Sequence, residues 1–198
     1  LFAGLTQGVT QLTFNPDMKT FFPENHPATA LNTDIDETFL PTDNMVIAIN
    51  GKGESIFKKE TLNLIEELTK KSWATPFSIR VDSLTNYSYV KSVEDDLLVG
   101  PFVENALSLS EKIIKEKEKL VESEEAIYGF LVSEDKQTTI ISIVIDPPQP
   151  NKEANLITTV EFILEFLDEA KIDYPQLDIR LTGNPYQEYI SPKMVQAE

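Results

Sequence analysis

Cysteine is absent from the 198 residues, which excludes a disulfide, a thiolate-ligated zinc and a thiol nucleophile. The compartment stays open, because a disulfide-free domain is stable on either side of a membrane. Histidine occurs once, in Asn25-His26-Pro27, so a metal or general-base role there would need distant partners. Cationic side chains are scarce: 17 Lys plus Arg stand against 33 Asp plus Glu, for a net charge of −16. A nucleic-acid backbone or an anionic lipid surface is held by clustered cations, so neither is an expected partner. A charge of this size serves solubility. No run of 18 apolar residues occurs, nor a basic segment leading into a short apolar one, so neither a membrane span nor a signal peptide is expected. The chain begins at Leu1 rather than Met, and is expected to be a piece of something longer.

What is present suffices for an ordinary core: 41% of the residues are hydrophobic, in a chain long enough to bury most of them without staples. Residues 1–43 hold Pro16, Pro23, Pro27 and Pro41 and little periodicity, and read as an irregular arm with one short helix at most. Met45-Val46-Ile47-Ala48-Ile49, closed by Asn50-Gly51 and Gly53, reads as a buried strand and turn. From 58 to 72, Leu62, Leu64, Ile65 and Leu68 fall near helical spacing, with Phe57 at the entry and Trp73 at the exit, until Thr75-Pro76 ends the helix. Residues 77–81 alternate as a half-buried strand. An insert over about 84–124 follows, irregular through Gly100-Pro101, then helical. Its helix is announced by the capping-box pattern Ser108-Leu109-Ser110-Glu111 ahead of Ile113, Ile114, Leu120 and Val121. Residues 127–133 and 138–145 read as a hairpin joined by Glu134 to Gln137. Pro147, Pro148 and Pro150 stop it, and Asn151 is a plausible N-cap for a helix reaching about Lys171. That helix carries Leu156, Val160, Ile163, Leu164 and Leu167 on one stripe, with Ile157, Phe162 and Phe166 beside it. A last strand, 177–181, is stopped by Gly183 and Pro185.

In order the elements are β-α-β, a helical insert, then β-β-α-β. Two such units with helices on one face of the sheet make an α+β, split βαβ, ferredoxin-like sandwich, and right-handed crossovers leave few alternatives. The sandwich occupies 44–185, after the arm at 1–43 and before a tail at 186–198.

No site for chemistry stands out, and the expectation is that the chain is not an enzyme and binds no cofactor or metal. Asp34, Asp36, Glu37 and Asp43 form an acidic loop, but Thr38 breaks the alternation and the turn glycine of a calcium loop is missing. The seven glycines are dispersed, and Gly51-Lys52-Gly53 lacks the rest of a phosphate-loop fingerprint. An acylphosphatase-like anion loop would need Arg after the first strand, where Glu54 stands instead. Arg80 and Arg180, the only arginines, are expected to pair with carboxylates on the sheet surface. Asn86-Tyr87-Ser88 matches a glycosylation acceptor by spacing alone.

Several segments resemble one family. Phe14-Asn15-Pro16-Asp17 and Phe21-Phe22-Pro23-Glu24-Asn25-His26-Pro27 are similar to the stretch leaving the first transmembrane helix of resistance-nodulation-division (RND) transporters, in the branch of MmpL-like and hopanoid-exporter-like lipid transporters. In the same order, residues 43–49 resemble the first porter strand, and Ile56-Phe57 and residues 81–86 the family's pattern around the next helix and strand. Gly129-Phe130-Leu131-Val132-Ser133 before Thr138 resembles its hairpin, and Leu181-Thr182-Gly183-Asn184-Pro185 the approach to the second transmembrane helix. The resemblance spans about 10–185. It implies an extracytoplasmic, ferredoxin-like porter domain whose partners are the transmembrane helices and second porter loop of a parent transporter. The implied cargo is hydrophobic or amphiphilic. Residues 1–12 would be the end of the first membrane helix or its stalk, and the proton-relay residues lie outside the chain. From the residues, the candidate substrate path is Leu97, Leu98, Val99, Phe102, Val103 and Leu107, an apolar stretch without clear period around Gly100-Pro101; these six would otherwise form the core under the insert. A stand-alone ligand-binding or regulatory module on the same sandwich is the alternative.

Overall fold

The computed structural model describes residues 43–93 and 96–196, together with His26, Pro27 and Leu31. Two compact units are distinguished, residues 42–186 and a second made of residues 1–41 and 187–198. The larger unit carries strands β1 (Asn44–Asn50), β2 (Ser78–Ser83), β3 (Ser88–Val93), β4 (Asp96–Pro101), β5 (Thr138–Ile145) and β6 (Asp178–Gly183). Its helices are α1 (Lys59–Trp73), α2 (Glu111–Leu120) and α3 (Lys152–Asp173); a last helix, α4 (Asn184–Gln196), begins directly after β6.

Four strands form one sheet in the order β2-β5-β1-β6, with every neighbouring pair antiparallel. The chain is therefore an α+β, split βαβ sandwich of ferredoxin-like kind. The two βαβ halves interlock because β5 and β6 flank β1. Alternation decides the faces. Met45, Ile47 and Ile49 of β1, Ile141, Ile143 and Ile145 of β5, and Ile179 and Leu181 of β6 are buried, and residues between them turn to the other face. Helix α1 packs on β2 and β5, α3 packs on β6, and the two helices touch. They supply Leu62, Ile65 and Leu68 from α1, and Leu156, Val160, Ile163 and Leu167 from α3, to the core. The edge of the expected stripe on α3 shifts: Phe166 is buried, whereas Ile157 is 41% exposed.

Glycine is required at two junctions. A Cβ on Gly51 would lie 2.2 Å from the Glu54 carbonyl oxygen, and one on Gly183, at φ +118°, would lie 2.3 Å from the Asn44 oxygen.

Three local expectations are corrected. Residues 127–133 are a series of turns, closed on themselves by an isolated bridge between Tyr128 and Val132 and joined to β5 by one between Val132 and Thr139. Three successive amides, from Phe130, Leu131 and Val132, turn back to the Ile127 oxygen, so the segment meets β5 only at its end, where the Leu131 oxygen accepts from the Ile140 amide and the Ser133 amide donates to the Thr138 oxygen. The first half of the insert is not irregular but a two-stranded sheet, β3 with β4. Helix α2 is capped by Ser110, not Ser108: the Ser110 hydroxyl accepts from the Ile113 amide, and the Ser108 hydroxyl donates to the Asn105 oxygen. Asn151 does occupy the N-cap position of α3, without a side-chain cap bond.

Helix α4 has Pro185 in its first turn, where proline is tolerated, and Pro192 inside it. In its outer part the Ser191 hydroxyl donates to the Gln187 oxygen, and Lys193 Nζ sits 3.6 Å from the Tyr189 ring centroid. Among the described residues no helix is long and apolar enough to cross a membrane.

Candidate functional site: the inserted hairpin

The insert leaves β2 through a turn locked by one side chain. Asn86 Oδ1 accepts from the Ser83 amide at 2.8 Å and Asn86 Nδ2 donates to the Val81 oxygen at 2.7 Å. Below it, Thr69 of α1 donates to the Ile65 oxygen, and its hydroxyl lies 2.9 Å from that of Ser83 and 3.1 Å from that of Thr85, all buried. Buried hydroxyls satisfied by one another specify position rather than chemistry. No histidine or carboxylate joins this cluster in the hydrogen bonds described.

From Tyr87 the chain runs out through β3 and back through β4 in strict register, Ser88 opposite Pro101 and Val93 opposite Asp96. The six candidate residues divide here. Phe102 and Val103 are core, 0% and 1% exposed, so for these two the packing reading holds. Leu97, Leu98, Val99 and Leu107 are 71%, 58%, 68% and 59% exposed. Val90, which the sequence did not single out, stands opposite Val99 and is exposed as well. Along β4 side chains alternate, so Leu97 and Val99 share one face of the hairpin and Leu98 takes the other.

The base of the hairpin is anchored. The rings of Tyr89 and Phe102 meet nearly perpendicular with centroids 5.7 Å apart, and Lys117 Nζ lies 4.9 Å from the Phe102 centroid while donating to the Phe102 oxygen. The Phe102 amide donates to the Tyr87 oxygen at 2.7 Å. On the far side Glu66 of α1 accepts from the Ala106 amide at 3.0 Å and from Lys70 at 3.0 Å. Burial pushes the Glu66 carboxyl up, but the Ala106 amide, the Lys70 ammonium and the Asn105 amide outweigh it and hold the group below its ordinary value of 4.5. A carboxylate with a depressed pKa contributes stability above the unfolded value and loses it as pH falls through the folded one. Glu66→Gln therefore lowers stability by about 1–3 kcal/mol at pH 7, and the difference from the parent chain shrinks below pH 4.5. Denaturant melts at pH 7 and pH 3.5 check this; an equal difference at both would exclude the carboxylate as the cause.

The other surfaces offer less. The second face of the main sheet presents half-buried Val46, Ala48, Ile140 and Val144. Arg80 pairs with Asp82 at 2.7 Å and Arg180 with Asp178 at 2.8 Å on the two edge strands, as expected, each exposed guanidinium lying beside a carboxylate of its own strand. The hydrogen bond from Arg180 holds the Asp178 carboxyl below its usual range. Two surface hollows, about 260 and 300 Å³, are lined largely by polar side chains including Glu54, Lys58 and Glu60 in one and Glu66, Glu67 and Lys70 in the other. Apolar ligand pockets are built differently. Among the described residues no three His, Asp or Glu side chains converge as metal ligands. Asp34, Asp36 and Glu37 lie outside the described residues; Asp43 pairs with Lys152, and His26 is exposed. In the Asn50–Glu54 turn the Lys52 amide donates to Asn50 Oδ1 and Lys52 Nζ to the Pro175 oxygen.

No model of a known protein family matches the chain, and no curated protein matches its sequence.

Proposed function

We propose that the chain is an extracytoplasmic porter domain of a proton-driven membrane exporter of RND type, lining part of a passage for hydrophobic or amphiphilic substrates. Two lines support the reading. Five sequence segments resemble the family's porter loop in order and spacing, and the fold is of the ferredoxin-like kind that such a loop implies. The observation that carries it is the hairpin. Leaving a large apolar side chain in water forgoes about 1.5–3 kcal/mol each, and here Leu97 and Val99, with Val90 opposite, are held out on one face of an arm whose base is firmly packed and Leu98 on its other face, while Leu107 is exposed beyond that base. Contiguous exposed apolar side chains mark contact with an apolar partner or cargo. On this reading the partners are the transmembrane helices and second porter loop of the parent, the location is the outer face of the cell membrane, and the chain has no catalytic role.

The parent reading frame on each side of the segment tests this directly. Apolar runs of about 20 residues are expected just before Leu1 and after Glu198, with a second large loop further on; polar flanks on both sides would remove the reading. A second prediction concerns the cargo surface. Titration of the chain with Nile red is expected to give binding that weakens at least threefold in the double variant Leu97→Ser, Val99→Ser. Unchanged affinity would take the hairpin out of the path.

A further inference from the structure

We infer that the outer edge of β4 is a self-association surface, on which a second copy of this chain adds its own β4 in antiparallel register about Leu98. The inference does not rest on the transporter reading.

Among the described residues β3 and β4 pair only with each other, so each has one edge whose amides and carbonyls face no described strand. Such an edge is a template for another strand, and proteins ordinarily guard it with a charge, a proline or a bulge. The β3 segment, Ser88-Tyr89-Val90-Lys91-Ser92-Val93, carries Lys91 in mid-strand. The β4 segment has its charge and its proline only at its two ends, Asp96 and Pro101, and between them stand Leu97, Leu98, Val99 and Gly100. This is an apolar, uncharged run with an open ladder, and its exposed side chains lie on both faces. A two-stranded ribbon is marginal alone, whereas four strands are not.

Geometry and charge select a second copy. In an antiparallel pair centred on Leu98, Leu97 stands opposite the second copy's Val99, and Leu98 opposite its counterpart. Aliphatic therefore meets aliphatic at every central position, which is the self-complementarity a twofold contact needs. Asp96 falls opposite Gly100, and the two Asp96 Cα atoms are offset by about 13 Å along the strand. That exceeds the screening length of about 8 Å at physiological ionic strength. The net charge of −16 opposes association, but it acts at long range and salt removes it. Pairing uses the strand edge and leaves both faces of the ribbon open, so apolar cargo and a second copy do not compete. The edge is short, and the contact falls below the 1,200–2,000 Å² or so of stable complexes; a weak dimer forming between about 10 μM and 1 mM follows.

Sedimentation equilibrium of the 198-residue chain in 0.15 M salt is expected to show the mass rising with concentration from 22.3 kDa towards twice that value. In 10 mM salt, where screening extends to about 30 Å, association weakens at least fivefold. Leu98→Lys sets two ammonium groups opposite each other and weakens it at least tenfold, with circular dichroism unchanged. Because the chain has no cysteine, Leu98→Cys supplies an independent geometric readout: directly opposite Cα atoms lie within disulfide reach. Under mild oxidation this variant is expected to cross-link at least tenfold faster than Ile172→Cys, at a position 79% exposed on α3. A chain that stays monomeric at 1 mM in 0.15 M salt overturns the inference. So does a dimer unaffected by Leu98→Lys, or a Leu98→Cys variant that cross-links no faster than Ile172→Cys.

Discussion

Phe102→Ala is expected to cost about 3–5 kcal/mol of stability, while Leu98→Ser, four residues earlier, changes it by no more than about 0.5 kcal/mol. Both side chains belong to one apolar stretch. Phe102 is fully buried, packs nearly perpendicular to the Tyr89 ring and lies under the Lys117 ammonium, and its main chain bonds Tyr87 and Lys117. Deleting the ring removes the aromatic contact and leaves a cavity between Tyr89 of β3 and Lys117 of α2. Leu98 is 58% exposed and loses nothing it was gaining. Urea unfolding of the two variants beside the parent chain measures both. A loss under 1 kcal/mol for Phe102→Ala would mean that the insert is not folded onto the sandwich as described.

Gly183→Val is expected to cost about 3–5 kcal/mol, or to prevent folding. The residue closes β6 opposite Met45, at φ +118°, with no room for a side chain: a Cβ would come within 2.3 Å of the Asn44 oxygen and 3.0 Å of the Met45 Cα. Both neighbours are backbone of the central strand and cannot rotate away. The strained dihedral contributes about 1–3 kcal/mol and the overlap about as much again. Thermal melts decide it, and a melting temperature within 2 °C of the parent's would show that β6 ends elsewhere. The Gly-Asn-Pro sequence at 183–185 thus has a local reason to be there whatever the chain does. The glycine permits the close approach, and the proline opens α4 where a missing amide is harmless.

The residues 81–86 have a similar explanation. Their pattern is one of those that resemble RND transporters, and in this fold Asn86 closes the turn onto Ser83 and Val81. That same bond engages the Asn86 amide nitrogen, the atom a glycan would need. A motif met by spacing in the sequence is here a turn lock, and only the hydrogen-bond partners reveal it.

The sandwich is legible in the order of the residues. Two-residue alternation in β1 and β5 and helical spacing in α1 and α3 are local signals, written into consecutive residues and read without knowing what they pack against. Helix and strand order then left few arrangements of the sheet. The absence of thiol chemistry is legible in the same way, and so is the pairing of both arginines, since each has an aspartate two residues away on its own strand face.

The remainder emerges only once the chain has folded. Residues 88–101 carry no period that separates strand from loop, because an arm exposed on both faces has no reason to alternate; its strands exist through pairing with each other. The same holds in reverse at 127–133, where an apolar run that looks like a strand turns back on the Ile127 oxygen. Whether Phe102 or Leu98 is core could not be read from either residue, as both are large and apolar. Burial belongs to the position the chain reaches after folding, and here the base of the hairpin lies on the body while its strands stand clear of it.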